Sequence, residues 1–257
     1  MTTSSATSSV RFIPILIAVL VCLPIMAAQA IETPAKNAYI IDMNTGTVLF
    51  EKDADVPMPP ASMSKLMTVY MVFERLKDGR LSMDDKFLVS EKAWRKGGSK
   101  MFVRVNSRIR VEDLLRGIII QSGNDACIVV AEGISGSESA FAEQMTRRGK
   151  EIGLTHSTFR NATGWPDPEH RMSARDIATL SQHIIKDFPV YYAIFKEKRF
   201  TYNKIRQGNR NPLLYRETGA DGLKTGYTEE SGYGLAASLK RNGRRIVLVI
   251  NGLPDIR

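Results

Sequence analysis

Few residues in this chain are of the kinds that metal sites and histidine-based hydrolases are built on. There are three histidines in 257 residues, His156, His170 and His183, and they share no motif. No Gly-x-Ser-x-Gly elbow occurs, which argues against a Ser-His-Asp arrangement, so no proton transfer is expected to depend on histidine. Cysteine occurs twice, as Cys22 and Cys127. Three scattered histidines and so few thiols make no zinc site, and neither a metal nor a cofactor is expected. The longest apolar run, Ile13 to Met26, is too short and too interrupted by Pro14 and Pro24 to span a membrane as a helix. No dense Lys/Arg run is interleaved with aromatics, so nucleic acid is not an expected partner. Internal repeats and low-complexity linkers are also missing.

What is present is ordinary in bulk, with 43% hydrophobic and 25% charged residues, as in a globular protein. The length allows one large domain or two small ones. The first 30 residues stand apart. Arg11 precedes the apolar run, and Ala28-Gln29-Ala30 follows it, the order of an export signal with a small-residue cleavage site. Cys22 does not suggest a lipid attachment site, because Val21 before it is too bulky. The expected organisation is therefore a signal peptide over 1–30 and one domain over 31–257. That domain keeps only Cys127, which reads as a small core residue among Ile128, Val129 and Val130. Export without a disulfide fits a bacterial periplasm or cell surface. The net charge is +9, or +8 once Arg11 is removed, which favours anionic cell-wall polymers, although most of these charges read as solvated surface.

Ala38 to Asp42 reads as a strand, Asn44-Thr45-Gly46 as a turn and Thr47 to Glu51 as the returning strand. Leu66, Met67, Tyr70, Phe73 and Leu76 recur at helical spacing. The chain is then expected to be mostly helical to about Asp187, with helices over Val111 to Gln121, Asp125 to Glu132, Phe141 to Ile152 and Ser173 to Ile185. Strands return over Arg199 to Tyr202, Gly222 to Tyr227, Tyr233 to Leu239 and Arg244 to Asn251. Strands at both ends with helices between indicate an α+β fold, one sheet closed by the termini with a helical region inserted.

Three short motifs carry the chemistry. Ser62-Met63-Ser64-Lys65 opens the first helix and puts a hydroxyl and an amine one turn apart on one face. That suits a nucleophile with its base. Ser122-Gly123-Asn124 interrupts a helix, and Lys224-Thr225-Gly226 lies on a strand. In isolation each has a plainer reading: a helix cap and a surface lysine, a turn, and a strand end with a bulge. All three in this order, on a helix start, an interruption and a strand, are specific.

Pro60-Ala61-Ser62-Met63-Ser64-Lys65-Leu66-Met67-Thr68, Gln121-Ser122-Gly123-Asn124-Asp125-Ala126 and Asp221-Gly222-Leu223-Lys224-Thr225-Gly226-Tyr227-Thr228 resemble the penicillin-recognising D-alanyl-D-alanine carboxypeptidases of low molecular weight. So do Lys196-Glu197-Lys198 and Asn209-Arg210-Asn211, and the likeness covers about Ala38 to Asn251. The resemblance implies a β-lactamase/transpeptidase-like fold, a five-stranded antiparallel sheet with a helical region and the site between them. It also implies roles. Ser62 is the nucleophile, Lys65 its base, and Ser122 relays a proton to the leaving D-alanine. Asn124 binds the substrate backbone, and Lys224 and Thr225, with Arg210, hold its carboxylate. The oxyanion hole is the backbone N–H of Ser62 and of Tyr227. Partial burial and the second cation Lys224 are expected to depress the pKa of Lys65. Implied partners are peptidoglycan stem peptides and, as covalent inhibitors, β-lactam antibiotics.

A class A β-lactamase needs a Glu-x-x-x-Asn after the second motif, and no glutamate between Asn124 and Lys224 has asparagine four residues on. A D,D-endopeptidase of the same fold remains an alternative, as does a non-catalytic penicillin sensor. Relatives continue past the last catalytic strand with a helix, a β-rich domain and an anchor that associates with the inner membrane. This chain ends at Arg257, so a truncated product is expected. Both faces of the last strand are apolar and expect cover.

Overall fold

The computed structural model describes residues 1–2 and 32–255. Residues 1–32 and 33–257 form separate units, and the architecture below is that of the second. All but two residues of the expected export signal, and Cys22 with them, lie outside the described residues.

The chain runs β1 (Asn37–Asp42), β2 (Val48–Lys52), a 3-10 turn (Ala61–Ser64) and α1 (Lys65–Lys77). Next come β3 (Lys86–Leu88), α2 (Glu91–Arg95), β4 (Arg108–Arg110), α3 (Val111–Ile119), α4 (Asn124–Ser135) and α5 (Glu138–Glu151). α6 (Ala174–Asp187), α7 (Pro189–Tyr192), β5 (Arg199–Tyr202) and β6 (Ile205–Gly208) lead to β7 (Ala220–Thr228), β8 (Gly232–Arg241) and β9 (Arg244–Leu253). The main sheet has five strands in the order β2-β1-β9-β8-β7, all antiparallel. β1 and β9 pair from Asn37↔Asn251 to Asp42↔Ile246, so the two ends of the domain close the sheet, as the distribution of strands along the sequence implied.

Alternation sets which face of the sheet is dry. Tyr39, Ile41, Ala236, Val247 and Val249 are buried and join the core with Ile177, Ala178, Leu180 and Ile184 of α6. The opposite face carries Ile246, Leu248 and Ile250, which are half-buried. α4 lies at the centre of the helical region. Its residues 126–131 are all 0% exposed, as expected of a helix apolar all round. Cys127 is one of them, and burial pushes its thiol up to about 12, so it sits in the core as a neutral group.

Three short strands that the sequence did not suggest, β3, β4 and β6, complete two separate two-stranded ribbons. β3 pairs with β4, and β6 with β5, which lies where the sequence put a strand. Long irregular stretches, 96–107 and 155–172, interrupt the region expected to be mostly helical. β7 is an edge strand of the main sheet, with a strand partner on one side only.

Candidate active site

Serines at three helix starts act as ordinary caps. Ser90, Ser137 and Ser173 each accept a backbone N–H three residues on. The start of α1 differs: neither the 3-10 turn nor α1 has a side-chain cap, although Ser62 and Ser64 are both there. Lys65 Nζ donates to Ser62 Oγ at 2.7 Å and to the Thr163 carbonyl at 2.5 Å. Ser64 Oγ lies 2.9 Å from His170 Nε2. The hydroxyls that would steady the helix are committed elsewhere, at the stability cost of about 1 kcal/mol that a missing cap carries. Ala61, just before Ser62, has φ +47°, a conformation that non-glycine residues hold only under constraint.

Lys65 is fully buried, and burial first of all pulls its amine down to about 8. At pH 7 such an amine is about one-tenth neutral, against about one part in three thousand at its ordinary value. The cations that add to this are Arg210 and Lys96, while Asp125 opposes them. Lys224, expected from sequence to supply that repulsion, does not figure among the causes. Its own amine is pushed well below the ordinary value by burial, then by Lys65 and Arg210. Arg210 is itself lowered by burial.

Ser122 sits between α3 and α4 with φ +59° and is 1% exposed, and its Oγ has no partner. Buried hydroxyls without a partner are uncommon, and a catalytic role is one reason for them. Gly123 follows because a Cβ there would meet Asp125 Oδ1 at 2.9 Å and Met101 N at 3.1 Å. Asp125 is occupied holding the 96–107 segment, accepting the N–H groups of Met101, Phe102 and Val103. Asn124 donates to the Gly97 carbonyl at 2.9 Å, and Arg210 to Ser99 Oγ at 2.6 Å. Lys224 Nζ reaches only the carbonyl of Thr225, at 2.9 Å. Tyr227 is 53% exposed and stacks on Tyr233 with ring centroids 4.3 Å apart. Lys65, Lys224, Arg210 and Lys96 thus gather around a cleft whose nearest carboxylate is already satisfied, and this arrangement favours an anionic ligand.

The sequence reading missed the 155–172 segment altogether. Asn161 is its staple. Asn161 Oδ1 accepts the N–H groups of Thr163, Gly164 and Trp165 at 3.0, 2.8 and 3.0 Å, and the Thr163 hydroxyl at 2.9 Å. That turn presents the Thr163 carbonyl to Lys65. Gly164, at φ +75°, is required because an added Cβ would lie 1.9 Å from the Ala61 carbonyl oxygen. Trp165 carries the Lys96 amine over its ring at 4.1 Å. An Asn-x-Thr next to Gly is the one signal in the sequence that pointed here, as an Asx turn. Histidine is also less remote than expected: His170 packs beneath the nucleophile's turn, whereas His156 and His183 pair with Asp55 and Asp187 elsewhere.

An antiparallel sheet closed by its termini, an inserted helical region and a serine–lysine pair in the cleft between them define the β-lactamase/transpeptidase-like fold. The profile of the D-alanyl-D-alanine carboxypeptidases, peptidase family S11, matches residues 25–254, and the chain belongs to that family. It is 41% identical to the D-alanyl-D-alanine carboxypeptidase DacA of Haemophilus influenzae over 231 residues, 88% of this chain and 59% of that protein. The crystal structure of penicillin-binding protein 5 from Haemophilus influenzae superposes with TM-score 0.86 at 39% identity, over 89% of this chain and 68% of that one. Penicillin-binding protein D2 of Listeria monocytogenes, in its ampicillin-bound form, gives 0.78 at 28% identity, over 87% of this chain and 91% of that one. The chain spans about 59% of the length of curated relatives it matches.

Proposed function

We propose that this chain is a serine-type D-alanyl-D-alanine carboxypeptidase. It removes the terminal D-alanine from peptidoglycan pentapeptide stems through a Ser62 acyl-enzyme, and penicillins acylate the same serine. The observation that carries this reading is the 2.7 Å contact between Ser62 Oγ and a fully buried Lys65 amine whose pKa lies near 8. A serine hydroxyl needs such a neutral amine to become a nucleophile.

The proposed steps are these. Ser62 Oγ attacks the carbonyl carbon of the penultimate D-alanine as its proton passes to Lys65 Nζ. The backbone N–H groups of Ser62 and Tyr227 hold the oxyanion. The C–N bond then breaks, and a proton reaches the leaving amine from Lys65 by way of Ser122, whose hydroxyl is otherwise unpartnered. Water attacks the ester next, Lys65 accepts its proton, and that proton passes to Ser62 Oγ as the acyl C–O bond breaks. Lys224, Thr225 and Arg210 bind the terminal carboxylate, whose negative charge favours the protonated form of an amine that burial above all disfavours. Asn124 aligns the substrate backbone.

The ampicillin-bound Listeria structure supports β-lactams as ligands of this cleft. Residues 1–30 are assigned as the export signal and 31–257 as the catalytic domain, which puts the substrate and the enzyme in the periplasm. The test is D-alanine release from a pentapeptide ending in D-Ala-D-Ala, and splitting of a cross-linked dimer into its monomer stems, by the native chain and by Ser62→Ala. Release from the pentapeptide that Ser62→Ala abolishes supports the reading. Splitting of the dimer without release from the pentapeptide makes the chain an endopeptidase, and equal rates for the two proteins refute it.

A further inference from the structure

His170 takes no part in the chemistry above, yet it is 1% exposed and lies directly beneath the nucleophile. Its Nδ1 accepts the Arg160 backbone N–H at 3.2 Å. That fixes the tautomer: the ring proton is on Nε2, which donates to Ser64 Oγ at 2.9 Å. The ring stands edge-on to Phe159, with centroids 5.6 Å apart. Ser64 is fully buried, lies between Ser62 and Lys65, and caps nothing. Arg160 and His170 bracket the segment whose Thr163 carbonyl accepts from Lys65. One imidazole therefore joins both ends of that segment to the turn that holds the nucleophile.

We propose that His170 is a positioning residue: through Ser64 and Arg160 it holds the Ser62 turn and the Thr163 segment in register, so that Lys65 Nζ reaches Ser62 Oγ and the Thr163 carbonyl together. The inference rests on the Ser62–Lys65 reading of the site. His170 takes no proton from Ser62, because both its nitrogens are engaged and Lys65 is the nearer base. Its protonation would turn Nδ1 into a donor facing the Arg160 N–H, itself a donor, and so break the lock. Burial lowers the ring to about 4, Asp167 opposes this, and Lys65 and Arg171 reinforce it, so the lock is intact at neutral pH.

The test is the time course of acylation of the full chain by a fluorescent penicillin. Ser64→Ala and His170→Leu should each slow acylation at saturating drug about tenfold, with the half-saturating concentration changed less than about twofold. The double variant should be no slower than either single one, since the two side chains act through one bond. His170→Gln keeps an acceptor and a donor but cannot charge. It should recover most of the rate, and between pH 6.5 and 4 it should lose rate only through Lys65, whereas the native chain should lose more. Additive losses in the double variant, or native rates in Ser64→Ala, would overturn the proposal. Ser64→Ala removes a single oxygen, so it decides the matter even where His170→Leu does not fold. A native chain that is not acylated at all overturns the Ser62–Lys65 reading instead, whereas a native chain that reacts alongside unaffected variants overturns the role of His170 alone.

Discussion

Lys65 concentrates the chemistry in one side chain, and its environment makes the chemistry testable. The amine is lowered from its ordinary value to about 8 by burial. The neutral amine is the active form, so acylation should rise with pH up to about 8 and level off above it. A profile flat from pH 6 to 9 would remove Lys65 as the base. Lys65→Arg keeps a cation that cannot deprotonate, and acylation should fall by about a thousandfold or more, because both the base and the serine's activation go with it. The same burial has a consequence for stability. His170 has a folded-state pKa near 4, below its unfolded value. Its contribution is fully present above about pH 6.5 and is lost as the pH falls through 4, to the extent of about 3 kcal/mol. Thermal unfolding should therefore lose more between pH 6.5 and 4 in the native chain than in His170→Gln, and equal losses would contradict the buried neutral ring.

Long periodic elements were legible and irregular ones were not. α1, α5, α6 and β7 to β9 appear where apolar spacing put them, because each has a face buried over several turns or pleats. β3 and β4 were missed because Lys86-Phe87-Leu88 and Arg108-Ile109-Arg110 have one buried residue between them, too few to show a period. The three motifs stood out as local strings, but the 155–172 segment did not. Its shape is set by backbone N–H groups converging on Asn161, and its partners are distant in sequence. Gly164 tests how tightly that segment is fitted to the nucleophile. Gly164→Ala puts a Cβ 1.9 Å from the Ala61 carbonyl oxygen at a positive φ, so the Ser62 turn or the segment must move. Acylation should drop about a hundredfold, the cost of a misplaced reacting group. A rate within about twofold of native would show the two to be loosely joined. α4 tests the scaffold behind the site. Ile128 is 0% exposed at the heart of the helical region, and Ile128→Ala should cost about 2–5 kcal/mol in chemical unfolding.

The whole domain is one way of holding a desolvated, positively charged cleft open. The sheet supplies an edge strand, the helical region supplies the nucleophile and the Ser122 turn, and the irregular segments join them. Each part tolerates a local compromise: a helix without its cap, a serine at positive φ, an amine buried without a carboxylate. Such compromises cluster where function requires them. They share one central claim, that Ser62 is the residue the cleft activates. Intact-mass measurement of the chain after brief exposure to penicillin, followed by peptide mapping, tests it most directly. One drug-sized adduct per chain, carried by Ser62 and absent in Ser62→Ala, is the result expected. No adduct, or an adduct on Ser64, Ser122 or Cys127, would contradict it.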